Sequence, residues 1–364
     1  MAREDLVLIA GAGPVGLAAA VELTRRGVPV RIVDAKDGPT SADQSRALAV
    51  LPTTLTIFEA SGLSGRMIAE GTKITGADIW LGDKPSFSMN FSGAKTAFPF
   101  ILSLPQGRTE RLLIDWLTER SVEVEWNVAL EEIGETHRPV AGLSTGESIK
   151  VAAILGCDGS HSRVRQELGV PWSGEGYPGA FALADVTFDK KIDPHRAMIV
   201  VGSDKRASHA LLPMSDNWAR LIGFEDTPDA LVASVEGIAS VTWRSSFHVS
   251  FRHAERMARG QIFLAGDAAH IHSPVGGRGM NLGIWDAAVF ARLFAERRES
   301  EYESRRLPAI GSVIAQTRQM TDRLAQPPTH LAPVLKYAMP MAKMVPSFRR
   351  KIAERVLALD LPQP

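Results

Sequence analysis

Residues 6–16 read LVLIAGAGPVG, and this stretch decides the fold of the chain. Residues 6–10 form an unbroken apolar run, which is typical of a parallel strand covered on both faces. Residues 17–26 predict a helix that ends at Gly27, and residues 28–33 predict a second strand that ends at Asp34. Strand, loop, helix and strand together predict a βαβ unit.

The loop of this unit, GAGPVG, indicates dinucleotide binding. Gly11 permits the tight turn, Gly13 lets the backbone approach a pyrophosphate, and Gly16 lets the helix pack closely on the strand. Pro14 and Val15 complete the loop at the helix start, where unpaired N–H groups can face phosphates. The alternative is a glycine turn that only packs.

Two side chains beyond the loop are placed to assist such binding. Asp34 follows the loop at the spacing of roughly 20 residues that suits hydrogen bonding to an adenosine ribose. Arg46, in the stretch QSRAL at residues 44–48, brings a positive charge toward the same phosphates. Outside this context Arg46 would be read as a solvated loop charge.

Composition limits the class of protein. The chain has 364 residues, of which 45% are hydrophobic and 23% charged, enough for two domains around a sizeable core. Lys plus Arg equals Asp plus Glu at 41 each, so no overall field favours nucleic acid or an anionic membrane. The single cysteine, Cys157, suits a reducing compartment. Glycines interrupt the apolar run after residue 6, so we expect a cytoplasmic protein without an integral membrane segment.

The rest of the chain predicts a large α/β domain interrupted twice by a smaller β-sheet domain. The α/β domain is assigned to residues 1–72, 99–177 and 260–330, and the sheet domain to residues 73–98 and 178–259, where aromatic residues recur in a β-like pattern. Residues 331–364 are predicted to form a helical tail broken by prolines.

Two further motifs follow predicted strands of the α/β domain. Residues 149–155 form an apolar run that leads into GCDGSHSRVR at residues 156–165. Residues 261–265 form another such run, which leads into GDAAHIHSPVGGRGMN at residues 266–281. The chain therefore has a second glycine-rich loop in its last third.

In this order the three motifs resemble those of the group A FAD-dependent aromatic monooxygenases, the para-hydroxybenzoate hydroxylase type, over residues 5–290. The resemblance implies a Rossmann-like FAD-binding domain interrupted by a β-sheet substrate domain, with C-terminal helices. It is nearest to the phenol and polyketide hydroxylases, but the sequence ends at residue 364 without their thioredoxin-like C-terminal domain. We therefore expect no dimer built through that domain, and the oligomeric state stays open.

The resemblance also explains the late loop, because one FAD would reach both loops. It implies that Asp267 binds ribityl hydroxyls and that the N–H groups of Gly279, Met280 and Asn281 face the flavin and stabilise its reduced anion. The other positions implied to shape or bind the cofactor site are Arg46, Gln106, Val128, Gly266, Pro274 and Gly277.

The middle motif implies contacts with FAD and with a visiting nicotinamide nucleotide, through Asp158, Gly159 and Arg163. Its presence favours direct reduction by NADPH or NADH. Arg278 departs from the family, which more often has an uncharged polar residue there. It either adds to the stabilisation of an anion or points to solvent.

The implied activity is monooxygenation of an aromatic substrate, phenolic, quinone or polyketide-like, by O₂ through a flavin C4a-hydroperoxide held in a dry pocket. His209 is the candidate for a catalytic base. For each single aromatic or aliphatic candidate for the pocket, core packing is the more common role, so the prediction concerns the set. These candidates are Trp80, Phe87, Phe91, Phe98, Phe181, Leu211, Met214, Leu221 and Phe224.

Several alternatives stay open at this stage. Epoxidation or Baeyer–Villiger oxidation fits the same scaffold, and so does an FAD-dependent reductase or an inactive flavin-binding scaffold without oxygen chemistry. A metal site is not expected, since one cysteine and scattered histidines give no ligand cluster.

Overall fold

The computed structural model describes residues 5–41, 47–202, 208–326 and 345–362. Its helices and strands are numbered in chain order. The helices are α1 Pro14–Arg25, α2 Pro52–Glu59, α3 Leu63–Glu70, α4 Gln106–Thr118, α5 Arg163–Glu167, α6 Pro228–Ala233, α7 Gly279–Ala295, α8 Tyr302–Ala325 and α9 Pro346–Val356.

A six-stranded sheet forms the centre of the described structure, in the order β18-β19-β12-β1-β2-β8. All neighbouring pairs are parallel except β18 with β19. The strands are β1 Val7–Ala10, β2 Val30–Asp34, β8 Val124–Trp126, β12 Ala153–Gly156, β18 Ala258–Arg259 and β19 Ile262–Leu264. All four residues of β1 are buried, as its apolar run predicts.

An eight-stranded, mostly antiparallel sheet lies beside it, in the order β20-β17-β13-β16-β15-β14-β5-β6. Its strands are β5 Gly76–Leu81, β6 Lys84–Asn90, β13 Trp172–Phe188, β14 Arg196–Val201, β15 His209–Pro213, β16 Trp218–Gly223, β17 Ile238–Ala254 and β20 His270–Ile271. β20 belongs to the late glycine loop, so this loop joins both sheets.

Two three-stranded sheets complete the described strands. One has the order β11-β10-β9 and the other the order β3-β7-β4. Their strands are β3 Ala49–Val50, β4 Thr72–Ile74, β7 Ile101–Ser103, β9 Leu130–Ile133, β10 Val140–Leu143 and β11 Ser148–Lys150.

The predicted fold class is confirmed: a parallel α/β core, an inserted sheet and helices toward the C-terminus. One predicted strand, residues 149–155, is wrong as a single element. The structure divides it into β11, which pairs antiparallel with β10, and β12, which pairs parallel with β1. An apolar run shows burial but not the change of sheet that divides it. The residue boundaries of the predicted domains stay predictions.

Candidate active site

The first glycine loop follows β1 and is shaped by close backbone contacts. Gly11 has a φ of +103°, and a Cβ there would lie 2.4 Å from the carbonyl oxygen of Cys157. A Cβ on Gly16 would lie 1.9 Å from the carbonyl oxygen of Gly11. Gly13, in contrast, faces open space at the start of α1. Two of the glycines therefore serve packing, and the third leaves room for a ligand at a helix N-terminus.

Asp34, at the end of β2, is fixed beside this loop. Its Oδ2 accepts a hydrogen bond of 2.6 Å from the N–H of Ala12, and its Oδ1 accepts one of 2.9 Å from the N–H of Lys36. The N–H of Val128 donates to the carbonyl of Asp34 over 3.0 Å, which brings Val128 to the same edge. The carboxylate is thus held next to the turn.

Gln106 begins α4 on another side of the site. Its Nε2 donates to Oε1 of Glu110 over 2.8 Å, and its Oε1 accepts from the N–H of Ala47 over 3.3 Å. Glu110 also accepts from the N–H of Thr40 over 2.8 Å. This network therefore holds both flanks of the segment that contains Arg46, which itself lies outside the described residues.

The middle motif follows β12. Oδ2 of Asp158 accepts from the N–H of Val164 over 3.0 Å, and its buried Oδ1 has no hydrogen-bond partner among the described residues. Gly159 has a φ of +79°. Arg163 is exposed, donates to the carbonyl of Glu131 and pairs with Glu167 at 2.7 Å, so its side chain lies against α5 and β9.

Sequence reasoning missed a second arginine of this motif, Arg165. It is buried and donates to the carbonyls of Ala268 over 2.9 Å and Ser160 over 2.8 Å. Its guanidinium carbon lies 4.0 Å from the centre of the Trp172 ring. Burial lowers the pKa of Arg165. Ser162 caps α5, and residues 163 and 165 lie two positions apart in this helix, so they point to different sides of it.

The late loop interlocks with the first loop around one side chain. Gly266 has a φ of +61°, and a Cβ there would lie 2.8 Å from Cγ2 of Val15. A Cβ on Gly283 would lie 2.5 Å from the same methyl group. Val15 is therefore enclosed by the late loop and α7. Through Val15, Arg165 and Gly11, all three sequence motifs lie at the carboxyl ends of neighbouring strands.

Asn281 holds the far end of the late loop. Its Oδ1 accepts from the N–H of Leu51 over 2.9 Å and from the hydroxyl of Thr54 over 2.7 Å. Its Nδ2 donates to the carbonyls of Ala49 over 2.8 Å and Gly277 over 2.7 Å. All these contacts are internal, so the Asn281 side chain shapes the loop and leaves any ligand contact to its backbone.

The remaining predicted residues of the late loop are exposed or half-buried. Asp267 is exposed, and a Cβ on Gly279 would meet open space at the start of α7. Pro274 accepts from the N–H of Gly277 over 2.9 Å in a turn, and Met280 is half-buried. The first N–H groups of a helix have no partner within it, so the start of α7 is suited to an anion.

Arg278, between these residues, does not point to solvent. It is 2% exposed and donates to Oε1 of Gln316 over 2.9 Å and to the carbonyl of Arg355 over 3.2 Å. Burial lowers the pKa of Arg278, and Asp360 opposes that effect. A buried positive charge therefore stands at the start of α7, held by α8 and α9.

Side chains on one face of the eight-stranded sheet point toward the late loop. Phe181 packs against Phe224 at 4.4 Å and Phe247 at 6.0 Å between ring centres, and Val275 of the late loop packs on this cluster. Phe91 packs on the same side of β5 and β6 against Ala353 of α9 and against Leu357, which follows that helix. Phe87 shares this side through its pairing with Ile79. We call this face of the eight-stranded sheet the inner face.

Other predicted pocket residues lie on the opposite, outer face. Leu211 and Leu221 pack there with Leu231 of α6. Trp80 pairs with Val200, and Val200 pairs with His209. Paired residues share one face of a sheet, and His209 lies beside Leu231 of α6, so both ring side chains lie on the outer face. The sequence shows that side chains alternate along each strand. It does not show which of the two faces turns toward the late loop.

His209 is buried beside Gly223 and Leu231. This placement gives no support to its predicted role as a base, which stays a prediction. Met214 follows β15, and its carbonyl accepts from the Thr72 hydroxyl over 2.7 Å. Phe98 packs edge-on against Phe100 at 6.0 Å, at the border of the main core.

In the described ranges, no helix is both long and apolar enough to cross a membrane. Within the same ranges, no group of three or more His, Cys, Asp or Glu side chains is arranged to hold a metal ion.

Comparison with known proteins agrees with this geometry. Residues 4–314 match the model of an FAD-binding domain family. The chain is 33% identical to the 6-methylpretetramide 4-monooxygenase of Streptomyces rimosus over 97% of its own length and 68% of that protein. It is 30% identical to the pentachlorophenol 4-monooxygenase of Sphingobium chlorophenolicum over 87% of its own length and 64% of that protein.

Solved structures give the same result. The OxyS anhydrotetracycline hydroxylase from Streptomyces rimosus superposes with a TM-score of 0.78 at 30% identity, over 99% of this chain and 77% of that one. The p-nitrophenol 4-monooxygenase PnpA from Pseudomonas putida DLL-E4 shares the fold, with a TM-score of 0.85 at 21% identity over 98% of each chain. The chain therefore belongs to the FAD-binding family of aromatic and polyketide monooxygenases and is itself a flavin-dependent monooxygenase.

Proposed function

We propose that this enzyme uses NADPH or NADH, FAD and O₂ to hydroxylate a bulky, mostly uncharged aromatic compound such as a polycyclic phenol or quinone. The substrate class is supported by the apolar inner face and by relatives whose names specify 6-methylpretetramide and anhydrotetracycline. A cytoplasmic location would supply the nicotinamide nucleotide.

One observation carries the proposal: the two glycine loops contact each other. The side chain of Val15 in the first loop packs directly against Gly266 and Gly283. The two loops therefore border one continuous edge of the six-stranded sheet. Open α/β sheets bind ligands at the carboxyl ends of their strands. One extended cofactor can therefore meet both loops.

The residues along this edge fit FAD. Gly13 and Gly279 each leave open space at a helix start, which suits the pyrophosphate and the polar edge of the flavin respectively. Oδ1 of Asp158 is buried and lacks a partner among the described residues, as expected of an atom that meets a ligand.

In this arrangement Asp34 and the backbone of Val128 would hold the adenosine, and the start of α1 would hold the pyrophosphate. Asp267 would hold the ribityl chain, with Pro274 and Gly277 beside the flavin. Bound FAD supplies the hydride acceptor and the activation of O₂. The start of α7 and the buried Arg278 would favour negative charge on the flavin.

The middle motif is proposed to serve both FAD and the nicotinamide nucleotide through Asp158 and Gly159. Arg165 supports this role better than Arg163, because Arg165 contacts the late loop whereas Arg163 lies against Glu131. Gln106 and Arg46 are proposed to border the ribityl side, next to the Glu110 network.

The substrate is proposed to lie between the inner face and the flavin. Phe87, Phe91, Phe181 and Phe224 are the candidates that share this face. Their apolar side chains would exclude water while the aromatic ring is oriented. The inserted sheet, residues 73–98 and 178–259, would then be the substrate domain.

The test uses purified holoenzyme with NADPH or NADH, O₂ and either a hydroxylated anthraquinone, a simple phenol or no aromatic compound. We expect the anthraquinone to stimulate nucleotide oxidation and O₂ consumption together. With ¹⁸O₂, one labelled oxygen should appear in the product as a ring hydroxyl, identified by mass spectrometry and NMR.

The other outcomes separate the alternatives. A labelled lactone or epoxide would replace hydroxylation by Baeyer–Villiger oxidation or epoxidation. Nucleotide oxidation without label in any product would indicate a reductase. A chain that binds FAD but oxidises no nucleotide would be an inactive flavin-binding scaffold. A chain that binds no FAD would overturn the proposal.

A further inference from the structure

A buried carboxylate, Asp286 of α7, lies beneath the late loop. It is 0% exposed. Its Oδ2 accepts a 3.1 Å hydrogen bond from the N–H of Gly266 and lies 2.6 Å from Nε2 of His270. Its Oδ1 accepts from Nε of Arg306, on α8, over 2.7 Å. One side chain thus ties both ends of residues 266–270 to two helices.

The segment that Asp286 holds is the part of the loop that presents Asp267. Gly266 has a left-handed backbone, and Val15 leaves no space for a Cβ, so both features favour glycine at this position. The N–H of Ala269 donates to the carbonyl of Gly266 over 2.8 Å, which closes the turn. Asp267 stands exposed between the two fixed ends.

The cluster is costly if stability is its only purpose. Burial alone would raise the pKa of Asp286, but Arg306 and His270 together lower it, so the carboxylate is charged. Nδ1 of His270 and Nη2 of Arg306 are buried without hydrogen-bond partners among the described residues. Buried ion pairs often stabilise less than apolar side chains of the same size, and unpaired buried atoms cost more still.

We propose that Asp286 is a positioning residue for the cofactor: it fixes the backbone of Gly266 and the ring of His270 so that the Asp267 carboxylate is in place before FAD binds. This inference rests on the proposed binding of FAD by the late loop. Arg306 has a different role, because it pairs with Oδ1 of Asp286, whereas Gly266 and His270 bond to Oδ2.

The two partners of one ion pair therefore give a matched test. Asp286→Asn keeps the size but leaves a single acceptor oxygen. With that oxygen facing the charged Nε of Arg306, the NH₂ group faces Gly266 and His270 and accepts from neither. Arg306→Met keeps both of these contacts. Glu22→Gln is the control, since Glu22 is a buried carboxylate with two arginine partners at the far end of α1.

Apoprotein of each variant is titrated with FAD, and the melting temperature and the visible circular dichroism of the bound flavin are recorded. We expect Asp286→Asn to raise the Kd for FAD about tenfold or more and to change the dichroism. Arg306→Met and Glu22→Gln should lower the melting temperature but keep the Kd within about threefold of the wild type. Affinity losses that follow the stability losses in all three variants would overturn the proposal.

Hydrogen exchange keeps the proposal testable if Asp286→Asn does not fold. In the wild-type apoprotein, the Gly266 amide should be protected before FAD is added. Free exchange of this amide until FAD binds would show that the cofactor orders the loop, and the proposal would be wrong. If the wild type binds no FAD at all, it is the proposed function that fails.

Discussion

The two glycine loops that border the active site are built by different physical means. The first is shaped by its own backbone, since Gly11 and Gly16 lie where a single Cβ would overlap a carbonyl oxygen. The late loop is shaped by buried side chains, its own Asn281 together with Asp286 of α7 and Arg165 of the middle motif. A local loop can be recognised from a short motif, whereas the supports of a distributed loop cannot.

The largest effect is expected where the first loop has no room. Gly16→Ala would place a Cβ 1.9 Å from the carbonyl oxygen of Gly11. We expect a loss of more than about 4 kcal/mol in the free energy of unfolding, measured by denaturant titration or seen as insoluble protein.

Gly65→Ala is the matched control, because a Cβ there meets open space within α3. This change should be neutral or add up to about 1 kcal/mol of stability. If the Gly16 variant were as stable as the wild type, backbone crowding would not define the first loop.

Gly13→Ala should separate binding from folding in the same loop. A Cβ there contacts nothing within 4 Å, so the melting temperature should not change. It would occupy the space proposed for the pyrophosphate, and the Kd for FAD should rise about 50-fold in a fluorescence titration. Gly311→Ala in α8, also in open space, should leave the Kd for FAD unchanged and the melting temperature equal or slightly higher.

Variants of Arg278 test whether the late loop places positive charge near the flavin in addition to shaping the site. Sulfite adds to oxidised flavin to give an anion, so its affinity reports positive charge at the flavin. Arg278→Gln should weaken sulfite binding about tenfold, and Gln316→Glu, which adds a carboxylate at the guanidinium, should act in the same direction. Arg278→Lys is the control that keeps the charge. Equal sulfite affinity in Gln316→Glu would remove Arg278 from the electrostatics of the site.

The smallest expected effect concerns pH and the late loop. Burial, with a contribution from His270, lowers the pKa of His272 to about 4 from the usual value of 6.5. Between these values the unfolded chain binds a proton that the folded chain does not, so stability falls as pH is lowered from 6.5 toward 4.

His272→Gln should therefore reduce the loss of melting temperature between pH 7 and about pH 4.5. Comparison of the variant with the wild type isolates this residue from the carboxylates that also titrate. A pH profile identical to that of the wild type would contradict the neutral state of His272.

The sequence predicted the elements that depend on local patterns. The strand, loop and helix at β1 and α1, and the strands before the other two motifs, follow from apolar runs and glycine spacing. The break between β11 and β12 was not predictable, because the local sequence does not show which sheet each part joins and only tertiary pairing separates them.

The site was predicted by its motifs but not by its supports. Asp286 and Arg165 act through contacts across 20 and 103 positions of the chain, which no local pattern reveals. Alternation within a strand also left the choice of face open, so Leu211 and Leu221 were grouped with Phe181 although they lie on the outer face.

The central claim is that one FAD meets both loops, and titration calorimetry of the apoprotein with FAD, FMN and ADP tests it most directly. FAD contains both the flavin part that the late loop would bind and the adenine nucleotide part that the first loop would bind. The account therefore predicts one FAD per chain, bound at least about 1,000-fold more tightly than FMN or ADP. FMN or ADP bound as tightly as FAD would mean that one loop alone holds the cofactor, and the account would be contradicted.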